Sequence, residues 1–182
     1  MIICLGWGSL IWDRQELPVA GHWHDDGPQL PVEFTRVSRD GRLTLVITKD
    51  VPLVTVLWTP LSVSSLDDGI TALAERESVL EENIGGSIGV WSTARSSRHR
   101  AVSTVGGWAT ERGFDAVIWT ALTPGFQGKR GAPPKLEEAL AHLRGLEGES
   151  RKNAEEYIRR APAQIKTLYR AAIEDEFKWT PV

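Results

Sequence analysis

The chain contains little cysteine and no long apolar run. Cys4 is its only cysteine among 182 residues, so no intramolecular disulfide can form, and a reducing compartment fits this composition. No apolar run approaches the roughly 20 residues that a membrane span requires. The short apolar run at 1–5 also lacks the basic flank of a signal peptide. The sequence therefore predicts a cytoplasmic protein that has no membrane partner.

A strong charge of either sign is also missing. The net charge is −3, with 41% hydrophobic and 25% charged residues, which is typical of an ordinary globular protein. No basic footprint for nucleic acid is present, so we expect no nucleic-acid partner. Three arginines lie between positions 95 and 100 without aromatic residues among them, which favours a solvated loop. The length favours a single domain over residues 1–182.

Several familiar catalytic arrangements are absent as well. The segment 22–26 holds two histidines and two aspartates, but no second ligand cluster accompanies it, so we expect no metal site. Ser9 has no histidine at a recognisable spacing, and Cys4 lies inside an expected strand, so neither resembles an activated nucleophile. Only one acid stands in a strongly apolar context, which argues against the paired carboxylates of a glycosidase.

The N-terminal stretch is the first positive feature. Residues 1–5 predict a short central strand, and Gly6, Trp7, Gly8 and Ser9 predict a tight turn directly after it. Glycine lets a ligand approach main-chain N–H groups closely, and a row of N–H groups after a strand can bind a carboxylate or a phosphate. An ordinary glycine turn that binds nothing is the alternative.

A carboxylate in an apolar stripe is the second feature. Residues 66 to about 82 predict a helix, one face of which carries Leu66, Ile70, Leu73, Leu80 and Ile84. Glu77 occupies the position that the gap between Leu73 and Leu80 skips. A buried carboxylate is costly unless it is paired or used. Two interpretations stay open: a structural partner such as Arg76, Arg36 or the backbone, or a general acid/base whose neutral form burial favours.

Strands dominate the first two thirds of the chain and helices the last third, which predicts an α+β fold. Apolar or alternating runs predict further strands at 32–37, 42–48, 53–60, 87–92 and 116–122. An Asp40-Gly41 turn joins the first two of these as a hairpin. Helices are predicted at 135–144, from Ser150 onward, and again after Pro162. Short strands with one long crossover helix predict a small mixed, closed β-barrel-like sheet with flanking helices.

Two segments resemble a known family. Gly6-Trp-Gly-Ser-Leu-Ile-Trp12 is similar to the Tyr-Gly-Ser-Leu signature of the γ-glutamylcyclotransferase-like proteins, and most closely to the glutathione-specific ChaC branch. Ala74-Glu-Arg-Glu77 resembles the segment in which that family carries its catalytic glutamate. Similar segments follow in order at 54–61, 116–122 and 148–153, so the resemblance runs along nearly the whole chain.

The resemblance implies a γ-glutamylcyclotransferase-like fold and an enzyme that cyclises a γ-glutamyl compound to 5-oxoproline with release of an amine or amino acid. Glu77 is then the general acid/base. The implied substrate-binding residues are Gly6, Trp7, Gly8, Ser9, Leu10 and Tyr157. The substrate brings its own nucleophile, so no metal and no organic cofactor is implied.

The chain also departs from the family pattern. Trp7 stands where the signature has tyrosine, Tyr157 falls one place later than the family's tyrosine, and no Gly-Gly-Tyr follows Glu77. These positions bear on substrate choice, so the identity of the γ-glutamyl compound stays open. The oligomeric state also stays open. Two alternatives remain: a catalytically silent small-acid-binding or regulatory module of the same fold, and a different amine- or amide-handling enzyme.

Overall fold

A computed structural model of the protein describes residues 1–182 and shows an α+β fold with several mixed sheets. The ten strands are β1 (Ile2–Gly6), β2 (Gln29–Leu30), β3 (Val32–Val37), β4 (Leu43–Ile47), β5 (Val54–Thr55), β6 (Leu57–Pro60), β7 (Ile88–Ser92), β8 (Ala116–Thr120), β9 (Gly125–Phe126) and β10 (Lys129–Arg130). The six α-helices are α1 (Leu66–Arg76), α2 (Ile84–Ser87), α3 (Val102–Glu111), α4 (Leu136–Arg144), α5 (Gly148–Arg160) and α6 (Leu168–Phe177).

The chain divides into two compact units, each assembled from three separate segments. The first unit comprises 1–6, 13–30 and 55–122. The second unit comprises 7–12, 31–54 and 123–182. A single domain over 1–182 stays a prediction.

The first unit is built on a four-stranded sheet in the order β6-β1-β8-β7. β1 runs antiparallel to β6 and parallel to β8, so it lies inside the sheet and its prediction as a central strand is confirmed. Ile3, Cys4 and Leu5 are completely buried, which explains why this strand is apolar at consecutive positions rather than at alternate ones.

Helix α1 packs on this sheet and ends earlier than predicted. Gly69 faces Ile118 of β8, and Leu73 is fully buried. The helix stops at Arg76 because Ser78 takes a left-handed conformation, with φ of 52°. Ser78 N–H then bonds to Glu75 O and Val79 N–H to Ala74 O, the pattern of a Schellman motif.

The prediction of a helix from 66 to about 82 is therefore wrong in its second half. Leu80, placed on the buried face by its spacing, is 63% exposed. Ile84 belongs to the separate four-residue helix α2. Glu77 consequently lies at the C-terminal cap of α1 rather than in the middle of a long apolar stripe.

Helix α3 was not predicted from the sequence. It contains three threonine or valine residues and two glycines within its first six positions, all of which are poor helix formers. It forms because Val105 and Ala109 pack against β7 and β8 and are fully buried. Tertiary packing overrides local propensity here.

The second unit contains the other four-stranded sheet, in the order β10-β9-β3-β4. The predicted hairpin is confirmed: β3 and β4 pair antiparallel, and Gly41 supplies the positive φ of 87° that the turn needs. Neither four-stranded sheet closes on itself, so the barrel-like detail is not confirmed.

The C-terminal helices pack beside this hairpin. In α5, Ala154, Tyr157 and Ile158 share one face of the helix and are all buried. The predicted helix after Pro162 begins at Leu168, whose side chain is 59% exposed. Thr167 caps the new helix by accepting the N–H of residue 170.

A buried carboxylate joins β3 to the start of α6. Glu33 is inaccessible to solvent and accepts hydrogen bonds from the Thr167 hydroxyl, from Phe34 N–H at 2.8 Å and from Tyr169 N–H at 3.2 Å. Burial raises the pKa of Glu33, and these hydrogen bonds offset part of that rise. The carboxylate also satisfies N–H groups that the first turn of a helix leaves unpaired.

His99 is a half-buried acceptor that makes stability depend on pH. Its Nδ1 accepts hydrogen bonds from Trp119 Nε1–H at 3.2 Å and from Ala101 N–H at 3.3 Å, so the ring must be neutral at that nitrogen. Burial lowers the pKa of His99, and the nearby Arg100 lowers it further. The unfolded chain therefore takes up this proton first as pH falls.

We expect the stability from neutral His99 to be complete above its unfolded pKa of about 6.5 and to be lost as pH falls below that value. His99→Asn keeps an acceptor near the Nδ1 position but cannot titrate, so its melting temperature should fall less between about pH 7 and about pH 5 than that of the wild type. His22→Asn replaces an exposed histidine and is the matched control. Equal pH slopes for the wild type and His99→Asn would contradict the assignment.

Candidate functional site

The predicted glycine turn follows β1 directly. Gly8 precedes a single 3-10 turn at Ser9–Ile11, which is closed by Ile11 N–H bonding to Gly8 O at 3.0 Å and Trp12 N–H bonding to Ser9 O at 3.2 Å. The N–H groups at 8–10 lie at the N-terminal side of this turn. The Leu10 side chain is buried, with 4% exposure, and thus anchors the turn rather than contacting a ligand.

Trp7 is held by the backbone of β4. Its indole Nε1–H donates to Leu45 O at 3.1 Å, and the side chain is only 5% exposed. This bond uses the one polar group of the indole. Trp7 therefore has a structural role in the second unit, whatever else the turn does.

Tyr157, which lies in α5, also binds the backbone of Leu45 in β4. Leu45 N–H donates to the Tyr157 hydroxyl at 3.2 Å. A methyl group built on Gly8 would overlap that hydroxyl and would lie 3.3 Å from Cζ of the ring. The glycine at position 8 is thus required by a close approach to a side chain, and the structure brings Trp7, Gly8 and Tyr157 together around Leu45.

Cations and aromatic rings surround Tyr157. Trp12 meets its ring edge-on, with centroids 5.4 Å apart, and the Arg42 guanidinium lies 5.5 Å from the ring centroid. Arg160 lies 5.5 Å from the Trp12 ring. Each arginine is also paired with an acid of its own segment, Asp40 at 2.7 Å and Glu156 at 2.9 Å. These pairs moderate the positive charge around the tyrosine.

Glu77 lies in the first unit, at the end of α1. Its side chain is 14% exposed, so the carboxylate is largely shielded from solvent. Oε1 accepts a hydrogen bond from Arg76 Nη1 at 2.7 Å. Arg76 also donates to the carbonyl oxygen of Asp13 through Nε at 3.1 Å and Nη2 at 2.6 Å. The ion pair expected with Arg76 as one interpretation is therefore present.

The charge of Glu77 affects the Cys4 thiol in the central strand β1. Burial raises the pKa of the Cys4 thiol, the negative charge of Glu77 raises it further, and the positive charge of Arg76 opposes that effect. Cys4 therefore stays a neutral, buried thiol and is no candidate nucleophile.

The predicted site residues fall in both units. Trp7, Gly8, Ser9, Leu10 and Tyr157 belong to the second unit. Gly6 and Glu77 belong to the first unit. Sequence reasoning missed Leu45, whose contribution is its backbone and leaves no signal in the residue type.

The histidine-rich segment 22–26 serves an aromatic cluster. His24 stacks on Trp58 with centroids 4.0 Å apart, and Asp26 accepts from Trp58 Nε1–H at 2.7 Å and pairs with Arg112 at 2.9 Å. No group of three or more histidine, cysteine, aspartate or glutamate side chains is placed to hold a metal ion. None of the helices has the length and apolar character to cross a membrane.

Comparison with family models, with curated proteins and with solved structures finds no match for this chain.

We expect Gly8→Ala to destabilise the protein by about 1–3 kcal/mol, because the new methyl group overlaps the Tyr157 hydroxyl in a packed region. Tyr157→Phe alone should cost about 0.5–1.5 kcal/mol, the contribution of the bond from Leu45 N–H. In the double variant the hydroxyl is gone, so the combined loss should be smaller than the sum of the two. Chemical denaturation measures all three values, and a strictly additive result would contradict the contact.

Proposed function

We propose that the protein is a γ-glutamylcyclotransferase-type enzyme with the corresponding fold, and that it converts a γ-glutamyl compound to 5-oxoproline. The observation that supports this most is the state of Glu77, a carboxylate that is only 14% exposed and whose Oε1 is held by Arg76 at 2.7 Å. A general base needs a carboxylate that is held in a fixed position.

The reaction uses a nucleophile that the substrate carries. The α-amine attacks the γ-carbonyl carbon, a C–N bond closes the five-membered lactam, and the original amide C–N bond breaks. Glu77 Oε2 takes a proton from the attacking nitrogen and gives it to the departing amine, so one carboxylate serves both steps and is regenerated. Intramolecular attack needs only that the substrate be held in a folded conformation.

The turn after β1 is the proposed seat of the substrate's α-carboxylate. The N–H groups of Gly8, Ser9 and Leu10 follow one another at the start of the 3-10 turn. Successive N–H groups of this kind suit an anion. Tyr157 and Trp7, both fixed on Leu45, keep the backbone of this turn in place.

A catalytically silent module that binds a small acid is the second candidate. The observation that favours it is the environment of Trp7. Its side chain is buried and bonded to Leu45 O, so it is not available to a substrate. The Arg76–Glu77 pair is likewise compatible with a purely structural glutamate.

A substrate panel separates the candidates. We expect 5-oxoproline release from at least one member of a set comprising glutathione, γ-glutamyl dipeptides and γ-glutamyl-amines. The member that reacts identifies the departing amine. Binding of 5-oxoproline without turnover of any member would favour the silent module and contradict the enzyme.

We expect Glu77→Gln to lower the rate of 5-oxoproline release by about 10² or more, because the amide cannot accept the proton. The fold should survive, since Gln keeps an acceptor for Arg76, and Arg76 keeps both bonds to Asp13 O. The stability loss should stay well below the ~3–5 kcal/mol seen when a buried pair loses one partner entirely.

The matched control for this variant is Glu75→Gln, which neutralises an exposed glutamate two positions earlier. It should change neither the rate nor the melting temperature. A Glu77→Gln protein that melts far lower yet turns over normally while folded would show that the glutamate is structural.

A further inference from the structure

A cleft on the first unit has the composition of a ligand site. It has a volume of about 340 Å³ and lies beside α1, α2, β7 and the segment that follows β7. Its apolar lining consists of Ile70, Ile84, Ile88 and Val90. At Gly85 a methyl group would meet no atom within 4 Å, so the space beside that backbone is open. A volume of this size is at the lower end of the range for small-molecule pockets.

The polar end of the cleft is formed by an ion pair and two serines. Arg95 Nη2 donates to Asp67 Oδ1, and the two side chains are 51% and 77% exposed. An exposed pair of this kind contributes only about 0–1 kcal/mol, so another carboxylate can replace Asp67 at little cost. Ser96 lines the same end, and its hydroxyl makes no hydrogen bond within the protein.

The segment that carries Arg95 is folded back on β7. Ser92 Oγ accepts the N–H of Arg95 at 3.0 Å and donates to its carbonyl at 2.9 Å. Ser97 N–H bonds to Val90 O at 2.8 Å, and Ser97 Oγ accepts Val90 N–H at 3.1 Å. The position of Arg95 at the rim is therefore set by the backbone, which reduces the ordering cost of binding.

Charged side chains of both signs lie around the cleft. Arg98 and Arg100 follow Arg95 on the same segment, Asp67 and Asp68 lie in the first turn of α1, and Glu81 and Glu82 lie in the turn before α2. Only one of the three arginines lines the cleft itself. One guanidinium with one free hydroxyl suits a single carboxylate rather than a dianion.

We propose that this cleft binds a small monocarboxylic acid with an apolar body. The carboxylate pairs with Arg95 and Ser96 in place of Asp67, and the hydrocarbon lies against Ile84, Ile88 and their neighbours. In the unliganded protein the Arg95–Asp67 pair closes the polar end. This site is separate from the proposed cyclisation and does not depend on it.

Titration with hexanoate, followed by amide chemical shifts, tests the site. We expect shifts confined to the segments 84–90 and 95–97, with saturation at millimolar concentration. Hexylamine has the same hydrocarbon body without the carboxylate and should produce no such shifts. Arg95→Gln should weaken hexanoate binding by ~10-fold or more, as expected for a hydrogen bond to a charged group. Arg98→Gln, which removes a cation outside the cleft, should have a small effect.

A second variant tests the proposal more sharply, because its hexanoate affinity is expected to rise rather than fall. Asp67→Asn removes the competitor for Arg95, so it should strengthen hexanoate binding, whereas Asp68→Asn in the same helical turn should leave it nearly unchanged. Weaker binding in Asp67→Asn, equal binding in Arg95→Gln, or no saturable shift with hexanoate would each overturn the proposal. Melting temperatures of the four variants establish that they are folded when binding is measured.

Discussion

The backbone of Leu45 sets the constraint around which the second unit is arranged. β4 is an edge strand of its sheet, and an edge strand leaves alternate N–H and C=O groups without a partner. At Leu45 both groups are satisfied by side chains distant in sequence: its C=O accepts from Trp7 and its N–H donates to Tyr157. Buried backbone groups rarely stay unpaired, so these two bonds tie the glycine turn and α5 to the same point of the sheet.

This constraint explains the residue types at three positions, 7, 8 and 157. An indole reaches the Leu45 carbonyl through its single N–H group, and the phenol of Tyr157 accepts the opposing N–H. Gly8 must then be a glycine because the phenol oxygen occupies the place of a Cβ atom. The turn that we propose as a carboxylate seat is thus rigid before any ligand arrives, which lowers the entropic cost of binding.

The features that could be predicted from sequence are those that depend on neighbouring residues. The Asp40-Gly41 hairpin and the first strand follow from turn chemistry and from short apolar runs, and both are confirmed. Helix α3 could not be predicted, because its glycines and β-branched residues favour other conformations and only packing on β7 and β8 offsets this. The end of α1 was mispredicted because the apolar spacing continues past the residue at which the backbone turns.

The candidate site likewise has features that the sequence could predict and features that it could not. Glu77 was selected by its apolar context and is indeed shielded, yet the reason differs, since the shielding comes at a helix end beside Arg76 and not in the middle of a stripe. The Trp7–Leu45 and Tyr157–Leu45 bonds join positions 38 and 112 residues apart. No local pattern encodes a side chain that binds a distant backbone group, so these contacts needed the structure.

The left-handed conformation of Ser78 also fixes the direction in which the candidate catalytic carboxylate points. Each residue added to an α-helix rotates the side-chain direction by about 100° around the axis. Ser78 ends the helix immediately after Glu77. The carboxylate of Glu77 therefore keeps a fixed direction relative to the strands beneath α1, and its Oε1 stays paired with Arg76. Serine adopts the left-handed conformation less readily than glycine does. The direction of the Glu77 side chain is therefore retained at a cost in backbone conformational energy at Ser78.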